Sequence, residues 1–69
     1  MSPQEVLRIT ADEVARATDS LWARRVPRTP SLLVMQNVVI RLLLREGVAP
    51  ELIVRLVSDS LDTIARQGY

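Results

Sequence analysis

The sequence predicts an all-α protein, a three-helix subunit that forms a homodimer packed around its apolar central helix. Helix start signals precede three segments, and proline or glycine interrupts the chain between them. Of the 69 residues 48% are apolar, and the chain contains neither Cys nor His, so disulfides and the usual zinc ligands are missing. A domain this small rarely obtains enough stability from one core. We therefore expect stabilisation by oligomerisation.

The first helix has two possible starts. The stretch 2–5 (SPQE) offers a Ser N-cap, a Pro at the first helical position and a Glu that closes a capping box, and 10–13 (TADE) offers a second box. The helix therefore spans about 3–25 or 11–25, and the later start is favoured for the packed part. It ends there because Val26, which precedes a proline, is disfavoured in the helical region.

The second and third helices are bounded by the same kinds of signal. Thr29 is placed to cap a helix over about 30–46, with Pro30 at its first position. This helix ends before Gly47, a residue suited to a left-handed C-cap. The third helix, over about 50–67, begins with a proline. The three helices are expected to form a single small domain.

The central helix differs from its neighbours in the distribution of its apolar residues. In the third helix these residues occupy one face, whereas in 32–44 they fall all round the helix. A helix that is apolar on every side is buried on every side, and the other two helices can cover only about half of it. The uncovered half predicts a two-fold dimer contact, and cover by a different protein in a hetero-oligomer is the alternative. We expect this dimer interface to contain Leu32, Met35, Val39, Leu43 and Asn37, the last as a buried polar residue that sets the register.

The composition provides little for catalysis. There is no His, Cys or Lys to act as base or nucleophile, and two glycines are too few for a phosphate-binding loop. We therefore expect no catalytic residue, no metal site, no cofactor and no enzymatic activity.

The charge and the apolar runs bear on partners and location. The net charge is +1 and all nine basic residues are Arg, so electrostatics does not favour binding to nucleic acid or to an anionic membrane. The longest apolar run, 32–44, is interrupted by polar side chains and is shorter than the about 20 residues that a membrane span needs. Residues 1–20 lack the apolar core of a secretory signal. We expect a cytoplasmic protein without membrane contact.

The stretch 43–57 (LLREGVAPELIVRLV) has two interpretations. Its glycine fits the turn of a helix-turn-helix DNA-binding motif, but Leu43 stands where the tight helix crossing needs Ala or Gly. The side that would enter the major groove presents Glu51, which opposes the phosphates, and Arg55 is its one basic residue. We favour a structural corner, and a helix-turn-helix-like DNA-binding regulator is the alternative function.

The segment 21–28 (LWARRVPR) is the candidate partner-binding site. Trp and Arg are enriched in the hot spots of protein–protein interfaces. The other interpretation is that the Trp caps the core while the arginines lie favourably at a helix C-terminus. We predict a non-enzymatic protein–protein interaction module, a regulator, adaptor or inhibitor of a larger cytoplasmic protein. Its partner-binding residues are Trp22, Arg24, Arg25 and Arg28.

Several stretches resemble the YejL-like family of short bacterial proteins. In VPRTPSLLVMQNVV (26–39), as in that family, a proline turn precedes a Ser-Leu-x-Val-x-x-Asn-x-Val type of run. TADEV (10–14), VAP (48–50) and LVSDSLDTIA (56–65) are similar in kind, so that the resemblance covers about 10–66. It implies an all-helical homodimer without known catalytic activity, and it carries over no site residues.

Overall fold

The structure, a computed structural model, describes residues 1–68. In that range it contains no strand and three α-helices: α1 (Pro3–Ala23), α2 (Arg28–Arg45) and α3 (Pro50–Gln67). The predicted all-α class is confirmed. The chain divides into two compact units, Met1–Val34 and Met35–Tyr69, and α2 contributes to both.

α1 begins at the earlier of its two predicted starts. Ser2 is the N-cap: the Glu5 N–H donates to Ser2 Oγ over 3.1 Å, and Ser2 Oγ donates to Glu5 Oε1 over 3.2 Å. The helix continues without a break through 10–13, so the start at Ala11 is wrong. Inside a continuous helix the backbone N–H groups at 10–13 already donate to carbonyl groups of the preceding turn, so a capping box there has no free N–H group to bind. The half-buried residues of α1 all lie near its C-terminal end: Thr18, Leu21 and Trp22.

α1 ends in a Schellman motif. The Val26 N–H donates to Leu21 O over 3.1 Å. The Arg25 N–H donates to Trp22 O over 3.0 Å, and Arg25 lies in the left-handed region with φ 59°. Leu21 and Val26, the pair of apolar residues that accompanies such a motif, are both half-buried. The helix therefore stops at Ala23, two residues before its predicted end.

α2 ends in the same motif. The Val48 N–H donates to Leu43 O and the Gly47 N–H donates to Leu44 O, each over 3.1 Å. Leu43 and Val48 are the half-buried apolar pair. Gly47 has φ 86°, which confirms its prediction as a left-handed C-cap.

The start of α2 was predicted two residues too late. The helix begins at Arg28, and Thr29 lies inside it instead of capping it. Pro30 is tolerated as the third residue because the first four N–H groups of a helix have no partner within it. The Ser31 N–H donates to Pro27 O over 3.1 Å, and Ser31 Oγ donates to Arg28 O over 2.8 Å. Both donors of this buried serine therefore have acceptors.

α3 has the predicted bounds. Ala49 precedes it in an extended conformation and makes no side-chain cap, and Pro50 is its first residue. The N–H groups of Leu52 and Ile53 both donate to Ala49 O over 3.0 Å. Gly68, with φ 69°, ends the helix in the left-handed conformation.

Few side chains are buried within one chain. Among residues 1–68 only Ser31 and Ile53 are buried, with 9% and 5% of their surface exposed. Within a single chain most of the apolar surface of α2 is open to solvent, and the burial of this helix on every side, which is expected of the dimer, stays a prediction. Seven aliphatic side chains of α2 are between 45% and 61% exposed: Leu32, Leu33, Val34, Val38, Val39, Leu42 and Leu44.

Candidate partner-binding site

The four residues predicted to bind a partner lie at the turn between α1 and α2, in the first compact unit. We call them the Trp–Arg corner: Trp22, Arg24, Arg25 and Arg28. Trp22 is half-buried in the last turn of α1, Arg24 is the C-cap of that helix, and Arg28 opens α2. Arg28 Cζ lies 5.1 Å from the centroid of the Trp22 ring, a cation–π contact. All three arginines are exposed.

The guanidinium groups of the corner have no ion-pair partner within residues 1–68. The two salt bridges in that range join Arg8 to Asp12 over 3.9 Å and Arg16 to Glu13 over 2.9 Å, both on the exposed surface of α1. The corner therefore presents three uncompensated positive charges, one of which lies over an indole ring. Arg24 and Arg25 lie at the C-terminal end of α1, where the partial negative charge of the last carbonyls favours them, whereas Arg28 lies at the N-terminal end of α2, which has the opposite polarity.

The backbone of Arg25 is the unusual feature of this corner. Arg25 is the one non-glycine residue with positive φ in the described part of the chain. A left-handed conformation costs an L-residue about 1–2 kcal/mol. Gly47 holds the equivalent position of the second Schellman motif without that cost. No sequence signal indicated this conformation, because arginine has no preference for it.

The predicted dimer-interface residues of α2 do not all lie on one side of the helix. Successive residues are rotated by about 100°, which places Leu32, Met35, Val39 and Leu43 together and Asn37 on the opposite side. Leu32 and Val39 are exposed, whereas Met35 and Leu43 are half-buried. Asn37 is exposed.

A second apolar surface lies on α3. The sequence indicated it only as one face of an amphipathic helix. A depression of about 340 Å³ is lined by α3 alone, and an adjoining one of about 360 Å³ shares three of its residues. Ser60 forms a notch between Leu56 and Ile64, one turn away on either side, and a small residue in an apolar stripe is the signal that could have found it. We call this surface the Ser60 face: Leu56, Val57, Ser60, Leu61 and Ile64.

The 43–57 corner carries balanced charge at the start of α3. Ile53 is buried and Val48 half-buried, as both interpretations of this stretch require. Glu51 and Arg55 are exposed in the first two turns, so one negative and one positive side chain face solvent there. The phosphates of DNA attract surfaces with an excess of basic side chains.

The lengths of the helices and the positions of the acidic side chains in residues 1–68 bear on membrane and metal binding. None of the three helices has the length and apolarity needed to cross a bilayer. Over the same residues, no three His, Cys, Asp or Glu side chains are grouped so that they could hold a metal ion.

Comparison with known proteins gives no match: no family model, no curated protein and no solved structure matches this chain. The resemblance to the YejL-like family therefore stays a prediction from the sequence.

Proposed function

We propose that this protein is a small non-enzymatic interaction module that acts as a regulator, adaptor or inhibitor. It pairs with a second copy through the side of α2 that carries Leu32 and Val39. It binds an acidic segment of a larger protein at the Trp–Arg corner. The exposed aliphatic side chains of α2 support the pairing, and the backbone of Arg25 is the observation that carries the partner site.

The apolar side of α2 supplies a suitable contact. Leu32 and Val39 are 46% and 54% exposed and lie on the same side of the helix as the half-buried Met35 and Leu43. Aliphatic side chains at this spacing form the seam of many paired helices. Asn37 lies on the opposite side, so the predicted role of Asn37 in setting the register requires a second contact surface on α2.

The conformation of Arg25 supports a binding role for the Trp–Arg corner. Glycine would be the more stable residue at this position, and residues held in costly backbone conformations cluster at binding sites. Arg24 and Arg28 add two more exposed guanidinium groups, and that of Arg28 lies over the Trp22 ring. A guanidinium group binds a carboxylate through two parallel hydrogen bonds, so Asp and Glu side chains are the matching groups of the partner.

Self-association is tested by measuring the absolute mass of the protein by light scattering on a sizing column, over a dilution series. We expect twice the 7.8 kDa of one chain. A monomer at all concentrations would refute the dimer. A polydisperse sample would instead indicate that a different protein covers α2.

The partner site is tested with the fluorescence of Trp22, the one tryptophan of the chain. Titration with a glutamate-rich peptide should change its emission in a saturable way that weakens with added salt. The double variant Arg24→Glu/Arg25→Glu should lose this response without unfolding. Arg41→Glu/Arg55→Glu is the control with the same charge change elsewhere and should keep it. An equal response of both variants would refute the assignment.

The competing function, DNA binding through the 43–57 corner, has its own test. It requires an affinity for duplex DNA that falls steeply with salt and is lost on Arg55→Ala. We expect no binding even at low salt, because Glu51 faces solvent in the first turn of the same helix. Salt-dependent binding that Arg55→Ala abolishes would establish the competing function.

A further inference from the structure

We propose that Arg28 is the residue that binds a carboxylate of the acidic partner through two parallel hydrogen bonds, and that Trp22 is a positioning residue that holds the Arg28 guanidinium group for it. The inference rests on the acidic partner proposed above, and it gives the members of the Trp–Arg corner different roles. Trp22 and Arg28 both belong to the first compact unit, Met1–Val34.

The indole ring gives the Arg28 guanidinium group a fixed neighbour. Arg28 Cζ lies 5.1 Å from the ring centroid, inside the distance of about 6 Å over which a cation–π contact is attractive. Among residues 1–68 this is the one such contact, so Arg24 and Arg25 have no equivalent support. The indole has one N–H donor and no oxygen or nitrogen acceptor, so the contact leaves the N–H donors of the guanidinium group free.

The backbone holds both ends of this pair of side chains. Trp22 O accepts from the Arg25 N–H over 3.0 Å, a bond of the Schellman motif that ends α1. Arg28 O accepts from Ser31 Oγ over 2.8 Å. The left-handed Arg25 lies between the two, so its costly conformation belongs to the turn that brings Arg28 to the Trp22 ring.

The side chain of Arg28 is ordered but has no hydrogen-bond acceptor within residues 1–68. The one arginine side chain that donates a hydrogen bond there is that of Arg16, to Glu13. The two coplanar oxygens of a carboxylate match two N–H donors of one guanidinium group. Immobilising a long side chain on binding lowers affinity by a factor of about 2–13, and the ring contact already restricts Arg28 before a partner arrives. Arg28 is therefore the best prepared of the three arginines to bind a carboxylate.

Arg24 and Arg25 contribute positive charge. Both are exposed, and neither contacts the Trp22 ring. Exposed charges of this kind attract an oppositely charged segment and speed its association, and added salt screens their effect. A lysine would provide the same attraction at these positions. The inference therefore predicts that replacing arginine with lysine matters at position 28 and not at position 24.

The experiment measures the affinity of the full chain for a fluorescently labelled glutamate-rich peptide by anisotropy at low salt. Arg28→Lys keeps the charge but replaces the planar pair of donors with a single ammonium group. We expect it to raise the dissociation constant about tenfold. Arg24→Lys is the matched control with the same conserved charge, and we expect a change of no more than about twofold.

The outcomes separate this inference from the function on which it rests. Equal dissociation constants for the two lysine variants, with the peptide still bound, would overturn the role of Arg28 and leave the corner as a site that acts through charge alone. A natural chain that does not bind the peptide at low salt would refute both the partner site and this inference.

A double-mutant cycle tests the positioning role of Trp22. Trp22→Leu keeps an apolar side chain but removes the ring, and we expect it to raise the dissociation constant about two- to fivefold. In the Arg28→Gln background the same change should cost nothing further, because Trp22 acts through Arg28. Trp22→Phe keeps an aromatic face and should lose less affinity than Trp22→Leu. An equal loss from Trp22→Leu in both backgrounds would show that the partner contacts the indole directly, and would overturn the positioning role.

Discussion

Replacing Arg25 with glycine is expected to stabilise this protein. Arg25 and Gly47 hold the same position in two Schellman motifs, with φ 59° and 86°. A left-handed backbone costs an L-residue about 1–2 kcal/mol, whereas glycine loses about 0.5–1 kcal/mol more than another residue in backbone entropy on folding. The difference predicts a gain of about 0.5–1 kcal/mol per chain, or a rise in Tm of about 2–8 °C.

The assay is equilibrium unfolding in urea, followed by far-UV circular dichroism at one fixed concentration of chains, because the stability of a dimer depends on concentration. Arg24→Gly is the matched control. It also removes one guanidinium group from the corner, but Arg24 has φ −85°, where glycine has no conformational advantage. We expect this control to lose up to about 1 kcal/mol.

Gly47→Arg is the reverse change at the second corner. A Cβ atom at Gly47 would have no other atom within 4 Å, so it would meet no steric clash. The change in stability is therefore expected to come from the left-handed backbone. We expect a loss of about 0.5–1 kcal/mol. If Arg25→Gly failed to raise the unfolding midpoint while Gly47→Arg lowered it, side-chain contacts of Arg25 would offset its strain, and the reasoning would be refuted.

Three further predictions concern the first N-cap, the buried core residue and the cation–π contact. Ser2→Ala should destabilise α1 by about 1 kcal/mol, and faster hydrogen exchange in its first turn would show this. Ile53→Ala should lose about 2–5 kcal/mol in urea unfolding, whereas Val54→Ala, at a 67% exposed position, should change stability by no more than about 0.5 kcal/mol. Arg28→Gln should lose about 0.5–1 kcal/mol and shift the emission of Trp22, and unchanged emission would contradict the contact.

The candidate partner site illustrates how far local signals reach. The residue types at 22–28 identified the Trp–Arg corner, and the structure adds that Arg28 lies over the Trp22 ring and that Arg25 is left-handed. The Ser60 face was not identified as a site from the sequence. Its exposure depends on which elements of the chain reach α3, and the pattern of α3 alone contains no information about that.

The sequence by itself determined the number and type of elements, the left-handed cap at Gly47 and the bounds of α3. These follow from caps, prolines and apolar spacing, which act over about four residues along the chain. The tertiary structure decided that α1 and α2 begin earlier than favoured, that Arg25 takes a conformation suited to glycine, and that burial is concentrated at Ser31 and Ile53. Of these outcomes, burial depends on which residues far apart in the chain meet. The start of α1 and the conformation of Arg25 rest on hydrogen bonds between residues at most five apart, and the sequence offered competing local signals there.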